Sequence, residues 1–144
     1  MTYQARFRIY WEDTDAGGIV YYANYLKYFE RARSDWLRSL GFEQATLKEQ
    51  GIGMFVVSQV EIQYKSPAQL DDEIVVDVRL IQSGAASLVM QQSVTKTITN
   101  SQGDVIISEL VTAKIKAAWV HPVTRKPSKM PTFIKSVLDL HQSN

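Results

Sequence analysis

From Gln59 to Val120 the sequence keeps returning to a period of two, apolar then polar, the pattern of strands that bury one face and wet the other. Val60, Ile62 and Tyr64 alternate with Gln59, Glu61 and Gln63, and Ile74, Val76, Val78 and Leu80 alternate with Asp77 and Arg79. Ser87 to Thr99 and Val105 to Val120 continue the pattern, and Asn100-Ser101-Gln102-Gly103 between them has the composition of a hairpin turn. Tyr3 to Tyr10 reads as one more strand, its alternation broken by paired apolar residues near Tyr10-Trp11. Against so much sheet stands a single long helical stripe. Leu26, Phe29, Arg33, Trp36, Leu37 and Leu40 recur three or four apart, with Lys27, Glu30, Arg31 and Arg38 largely opposite. Asn24 can cap this helix, and Gly41, which accepts a left-handed conformation, can end it at Leu40. Glu43 to Gln50 predicts a short second helix, stopped by Gly51-Ile52-Gly53. Pro122 and Pro127 stop the last strand, Pro131 opens a final helix through about Leu140, and His141 to Asn144 should fray.

An antiparallel sheet can bury one face, and one helix must be covered by one sheet. The expectation is therefore an α+β fold in which an antiparallel five-stranded sheet curls around the helix from Asn24 to Leu40. Long strands such as Val105 to Val120 leave edges and a second face for water to meet, which argues for pairing with another subunit, a homodimer at minimum.

The 144 residues fit one domain, 1–144, with enough chain to bury a core without disulfides or metal. Lys and Arg total 16 against 15 acidic residues, so no electrostatic footprint for nucleic acid or an anionic membrane surface is present. No apolar run is long enough to span a bilayer, and Met1 to Arg6 lacks the apolar core of a signal peptide, so no transmembrane segment and a cytoplasmic location are expected. The absence of cysteine removes a thiol nucleophile, a disulfide framework and a thiolate metal site together. His121 and His141 are far apart in sequence and nominate no third ligand, so no metal is expected. His121-Pro122 reads as the start of a turn.

No Gly-x-Ser-x-Gly elbow or P-loop occurs, and Gly51-Ile52-Gly53 lacks the third glycine of a dinucleotide fingerprint. What remains is Glu12-Asp13-Thr14-Asp15-Ala16-Gly17-Gly18, an acidic loop that runs through Ile19-Val20-Tyr21-Tyr22-Ala23 into the helix. Glycines let the backbone approach a ligand, and the first turn of a helix presents unpaired N–H groups with partial positive charge. Such a mouth suits an oxyanion, and one donor aimed at developing negative charge is worth about 2.7–4 kcal/mol. A carboxylate beside it can attack a carbonyl or activate water, so loop and helix end together supply both halves of ester or thioester cleavage. Caps and bends use the same residues, and the composition does not say which acid acts. Gly18, Ile19 and Val20 form the segment that can approach a substrate. Tyr21 and Tyr25 can wall a pocket or staple the helix to the sheet. Met54, Phe55 and Val57 read either as an acyl tunnel or as core, Ser87 as a pantetheine contact or an ordinary strand hydroxyl, and Arg125, Lys126 and Lys129 as a phosphate contact or a solvated tail.

The stretch from Arg8-Ile9 through Thr14-Asp15-Ala16-Gly17-Gly18-Ile19-Val20-Tyr21-Tyr22-Ala23-Asn24-Tyr25 resembles the signature of the 4-hydroxybenzoyl-CoA thioesterase family. The likeness continues through Phe29-Glu30-Arg31-Ala32-Arg33, Trp36-Leu37 and Tyr64-Lys65-Ser66-Pro67-Ala68-Gln69-Leu70-Asp71-Asp72, and is nearest to the bacterial acyl-CoA thioesterases associated with the Tol-Pal envelope system. The resemblance implies a hot dog fold, active sites at a dimer interface and often a homotetramer. It implies hydrolysis of acyl-CoA with no cofactor beyond the CoA of the substrate. It makes the second acid of the Asp-x-Asp pair catalytic, which is Asp15, as general base or nucleophile, and leaves Asp13 and Glu12 structural. It maps the oxyanion donor to the backbone amide of Tyr22. Many Tol-Pal-associated members carry histidine where this chain has Tyr22, and Ser83-Gly84-Ala85-Ala86-Ser87 stands where the aromatic-CoA branch has a basic cluster, which argues against 4-hydroxybenzoyl-CoA as the substrate. The alternatives are a hot dog hydratase or dehydratase, which typically pairs its acid with a histidine, and a non-catalytic acyl-CoA or acyl-carrier binding protein.

Overall fold

The computed structural model describes residues 2–143. Its elements in chain order are β1 (Tyr3–Arg8), α1 (Tyr25–Ser39), α2 (Gln44–Glu49), β2 (Met54–Tyr64), β3 (Glu73–Ser83), β4 (Ser87–Thr99), β5 (Val105–Val120) and α3 (Thr132–Leu140), with 3-10 turns at Trp11–Asp13 and Tyr22–Asn24. The strands form a five-stranded sheet in the order β1-β3-β4-β5-β2, every neighbouring pair antiparallel. The strands β4 and β5 match the alternating segments residue for residue. β1 ends two residues short of the expected Tyr10, because Tyr10 is already the cap of the Trp11–Asp13 turn: Asp13 Oδ2 accepts the Tyr10 amide at 2.8 Å.

The alternation buries one face, and α1 packs on that face against β1 and β3. Ile74, Val76, Val78 and Leu80 of β3 and Ile115, Ala117 and Trp119 of β5 are all buried. The helix meets them with Tyr25, Tyr28, Phe29, Ala32, Trp36 and Leu37. This stripe is rotated from the expected one: Leu26 is exposed, and Tyr28 and Ala32 take its place. Arg33 does face inward, as its spacing requires. Its partner is Gln92, which occupies a core position of β4 and is 0 % exposed. Arg33 Nη1 donates to Gln92 Oε1 at 2.9 Å, while Gln92 Nε2 donates to the Phe29 and Asp77 carbonyls at 3.1 and 3.2 Å. The amide is thereby satisfied on both ends, as a buried polar group must be, and burial pulls the Arg33 guanidinium down from its ordinary range.

Gly41 closes α1 at a φ of 94°, the left-handed conformation expected of it. The tail after α3 does not fray up to Ser143: Ser143 N donates to Leu80 O at 2.8 Å, and Ser83 N donates to Gln142 Oε1 at 3.2 Å. Those bonds dock the tail on the end of β3. Asn144 lies outside the described residues.

Candidate active site

The acidic loop is a small, tightly bonded turn. Asp15 N donates to Ile19 O at 2.9 Å and Gly18 N to Asp15 O at 3.1 Å, with Thr14 and Val20 bridged across its base. Gly18 has a φ of 78°, which a side chain would strain. Asp15 Oδ1 accepts the Gly17 amide at 2.8 Å, so the carboxylate is oriented by the backbone and not by a neighbouring charge. The side chain is exposed, and its second oxygen has no protein donor among the described residues. Asp13 behaves differently: its carboxylate holds the Tyr10 amide, and its carbonyl accepts both Tyr21 N at 3.1 Å and Asn24 Nδ2 at 2.9 Å. This fits the expected structural part for Asp13.

The helix mouth follows at once. Tyr21 is extended, with φ −60° and ψ 128°, and the chain then enters the Tyr22–Asn24 turn and α1. Asn24 N donates to Tyr21 O at 2.8 Å, and the Tyr22 and Ala23 amides come before the first bond that the helix can make for itself. Asn24 itself does not cap the helix as expected; it is in helical conformation, and its side chain reaches back to Asp13 instead.

Beside this mouth lies a cavity of about 250 Å³ lined by Ile19, Val20, Tyr22, Tyr25 and the Tyr64-Lys65-Ser66-Pro67 segment. Tyr25 is a wall and a staple at once: its ring is buried and its hydroxyl accepts the Ala68 amide at 3.0 Å. Tyr64 donates from its hydroxyl to Tyr22 O at 3.1 Å, and its ring stands 5.8 Å from Tyr25 and 6.1 Å from Tyr22. Tyr21 packs against Tyr22 with the ring centres 4.9 Å apart. A hydrogen bond with Tyr22 pushes the Tyr21 phenol up, and burial does the same to Tyr25 and Tyr64. These three phenols are therefore protonated near neutral pH and offer no base. The part of Tyr64 and of the Lys65–Pro67 turn was not legible from the residues alone, although period two does place Tyr64 on the helix-facing side with Val60 and Ile62.

The remaining nominated residues lie elsewhere in the same chain. Val57 lines a second cavity of about 120 Å³ between α1 and the sheet, with Arg33, Trp36, Phe55 and Met90 among its walls. Ser87 pairs with Ala118 and Tyr64 with Val111, so Ser87 sits roughly 23 Å along the sheet from the tyrosine cluster. Arg125, Lys126 and Lys129 are exposed on the turn after β5, near the Met54 end of β2; His121 Nδ1 accepts the Val123 and Thr124 amides at 3.1 and 3.2 Å and forms that turn. No group of His, Cys, Asp and Glu that could hold a metal ion occurs among the described residues. Nor is any described helix long and apolar enough to cross a membrane.

A helix laid on one face of a five-stranded antiparallel sheet is the hot dog arrangement, and a carboxylate loop leads into its helix mouth. Residues 9–138 match the model of the thioesterase-like superfamily, and the chain belongs to that family. It is 37% identical over 129 residues to the acyl-CoA thioesterase YbgC of Haemophilus influenzae, covering 90% of this chain and 88% of the relative. Among solved structures, a probable thioesterase from Bartonella henselae superposes with a TM-score of 0.77 at 34% identity, covering 91% of this chain and all (100%) of that one. A mutant 4-hydroxybenzoyl CoA thioesterase complexed with 4-hydroxybenzoyl CoA superposes at 0.80 with 20% identity, covering 98% of this chain and 99% of the other, a likeness of fold.

Proposed function

We propose that the chain hydrolyses acyl-CoA thioesters to the free acid and CoA, with Asp15 as general base toward water and the Tyr22 amide as donor to the tetrahedral oxyanion. What supports this reading is an exposed carboxylate, oriented only by the Gly17 amide, on a loop that runs within seven residues into a helix mouth whose first amides have no partner within the helix. A thioester carbonyl between them meets a base on one side and a donor on the other. The exposed position of Asp15 gives water direct access, which favours the base over the nucleophile. The name of the Haemophilus influenzae relative supplies the acyl-CoA class.

The site needs a second copy of the chain. β2 is an edge strand of 11 residues, and Val56, Val57 and Val60 on it are exposed. Pairing β2 with itself across a two-fold axis satisfies its open edge and sets the Tyr64 end of one copy against the Met54 end of the other. The partner's Val57 and Ser87 then approach this helix mouth, and the partner's Arg125, Lys126 and Lys129 come within reach of the CoA phosphates. Sedimentation should therefore give at least a dimer, and an active monomer would remove this shared site.

Thiol release from acyl-CoA, followed with a thiol reagent, tests the activity directly. Binding without release would make the chain a carrier of acyl-CoA, and hydration of an enoyl-CoA would make it a hydratase. The donor is tested separately with Tyr22→Pro, which deletes the amide, against Tyr22→Ala, which deletes only the ring. The preceding Tyr21 is extended, as a residue before proline must be, and proline is tolerated in a first helical turn. Tyr22→Pro should lose about 10²–10³-fold in kcat relative to Tyr22→Ala. Equal rates for the two variants would exclude the amide.

A further inference from the structure

Two groups that must act on one carbonyl are carried by separate pieces of chain: Asp15 by the loop, and the Tyr22 amide by the helix mouth. The side chain of Asn24 joins the two pieces. Its Nδ2 donates to Asp13 O at 2.9 Å, two residues before Asp15, and that same carbonyl accepts Tyr21 N at 3.1 Å. Its backbone N donates to Tyr21 O at 2.8 Å. The Tyr21 carbonyl and the Tyr22 N–H belong to one planar peptide, so fixing the oxygen fixes the direction of the N–H. Asn24 thus holds the donor peptide with its main chain and the carboxylate loop with its side chain.

The side-chain bond is not one that helix formation requires. Asn24 makes no cap bond, and no short-range turn is closed by a contact between residues 24 and 13. Asp13 Oδ2 meanwhile anchors the start of the loop on Tyr10 N at 2.8 Å. Between these anchors the Asp15 turn closes on itself through its bonds to Ile19 and Gly18 and is tied to the 68–70 segment by Leu70 N to Gly18 O at 3.1 Å and Val20 N to Ala68 O at 2.9 Å, while its direct link to the helix mouth runs through the Asp13 carbonyl.

We propose that Asn24 is a positioning residue: its side-chain amide, bonded to the Asp13 carbonyl, sets the separation between the Asp15 carboxylate and the Tyr22 N–H for thioester hydrolysis. This rests on the reading of Asp15 and Tyr22 given above, and it adds that the separation is maintained by a specific donor. Misplacing reacting groups by about 1 Å costs on the order of 10²-fold in rate, so the loss falls on kcat while substrate contacts persist.

The discriminating variants are Asn24→Asp and Asn24→Gln. Aspartate keeps the shape and removes the donor; the bond lost to the Asp13 carbonyl lowers stability, offset in part by a carboxylate at a helix N-terminus. Glutamine keeps the donor on a longer arm. Steady-state thiol release from acyl-CoA is measured for both variants and for Asp15→Asn, with thermal melting to confirm that each is folded. The expected result for Asn24→Asp is a kcat lower by about 10–100-fold with KM within about 3-fold, partial recovery in Asn24→Gln, and a melting temperature lower by no more than about 10 °C, so that both variants are folded in the assay. In the Asp15→Asn background, Asn24→Asp should cost less than about 3-fold, since there is no carboxylate left to place. Wild-type kcat in Asn24→Asp, or a change confined to KM, overturns the proposal while leaving Asp15 untouched. Full activity in Asp15→Asn overturns the underlying site instead.

Discussion

Asp15→Asn should lower kcat for acyl-CoA hydrolysis by about 10³-fold, within the 10²–10⁴ that a positioned general base contributes. The substitution removes charge and basicity but little else. The amide oxygen of the substituted side chain can still accept the Gly17 N–H that Asp15 accepts at 2.8 Å, and the Gly18 and Ile19 bonds of the turn are made by the main chain. The side chain is exposed, where substitutions cost within about 0.5 kcal/mol, so the melting temperature should move by no more than about 2 °C. The combination is diagnostic: turnover lost, fold and binding kept. Turnover within a few-fold of wild type would remove Asp15 from the mechanism, and the loop would be a bend and nothing more.

The largest effect on stability is expected at the other end of the sheet. Trp119 is 1% exposed in β5, its ring meets Phe55 edge-on at 4.9 Å and 70°, and Gly53 packs so closely that a Cβ there would lie 2.3 Å from the ring. Trp119→Ala empties this site, and the close backbone on one side limits how far the surroundings can collapse. The cost should be about 3–5 kcal/mol, which for a chain of this length lowers the melting temperature by roughly 10–15 °C. Differential scanning calorimetry measures it, and a shift under about 3 °C would mean that Trp119 is not the packing centre described here. The two variants separate function from fold, since Trp119 lines neither the cavity at the helix mouth nor the one between α1 and the sheet.

The sheet was legible in the sequence wherever one face is wet. β4 alternates from Ser87 to Val94 and β5 from Val111 to Trp119, and the strand ends coincide with the turn residues that bound them. Legibility failed where a side chain served another segment. Helical spacing alone put Leu26 in the buried stripe, but the stripe is set by where β1 and β3 lie, and they call for Tyr28 and Ala32. Asn24 has the composition of a cap; only the return of the Asp13 carbonyl to the helix mouth reveals the use of its side chain. Arg33 was placed correctly by its period, yet the reason a cation is tolerated there, the carbonyl of buried Gln92, is a contact across 59 positions that no local pattern carries. The tail beyond Leu140 has the look of a frayed end until Leu80 O supplies an acceptor. Of the site itself, residues give an acidic glycine loop running into a helix, and family resemblance selects Asp15 within it. The tyrosine-lined cavity needs β2 and the Lys65–Pro67 turn to arrive from elsewhere in the chain.

A crystal structure of the Asp15→Asn variant with an intact acyl-CoA tests the central claim most directly. The account predicts the thioester carbonyl oxygen within about 3 Å of the Tyr22 nitrogen, with the substituted side chain facing the carbonyl carbon either directly or through one water, in a site completed by a second copy of the chain. A thioester bound away from the α1 mouth, or a substituted side chain still pointing into bulk solvent in that complex, would contradict it.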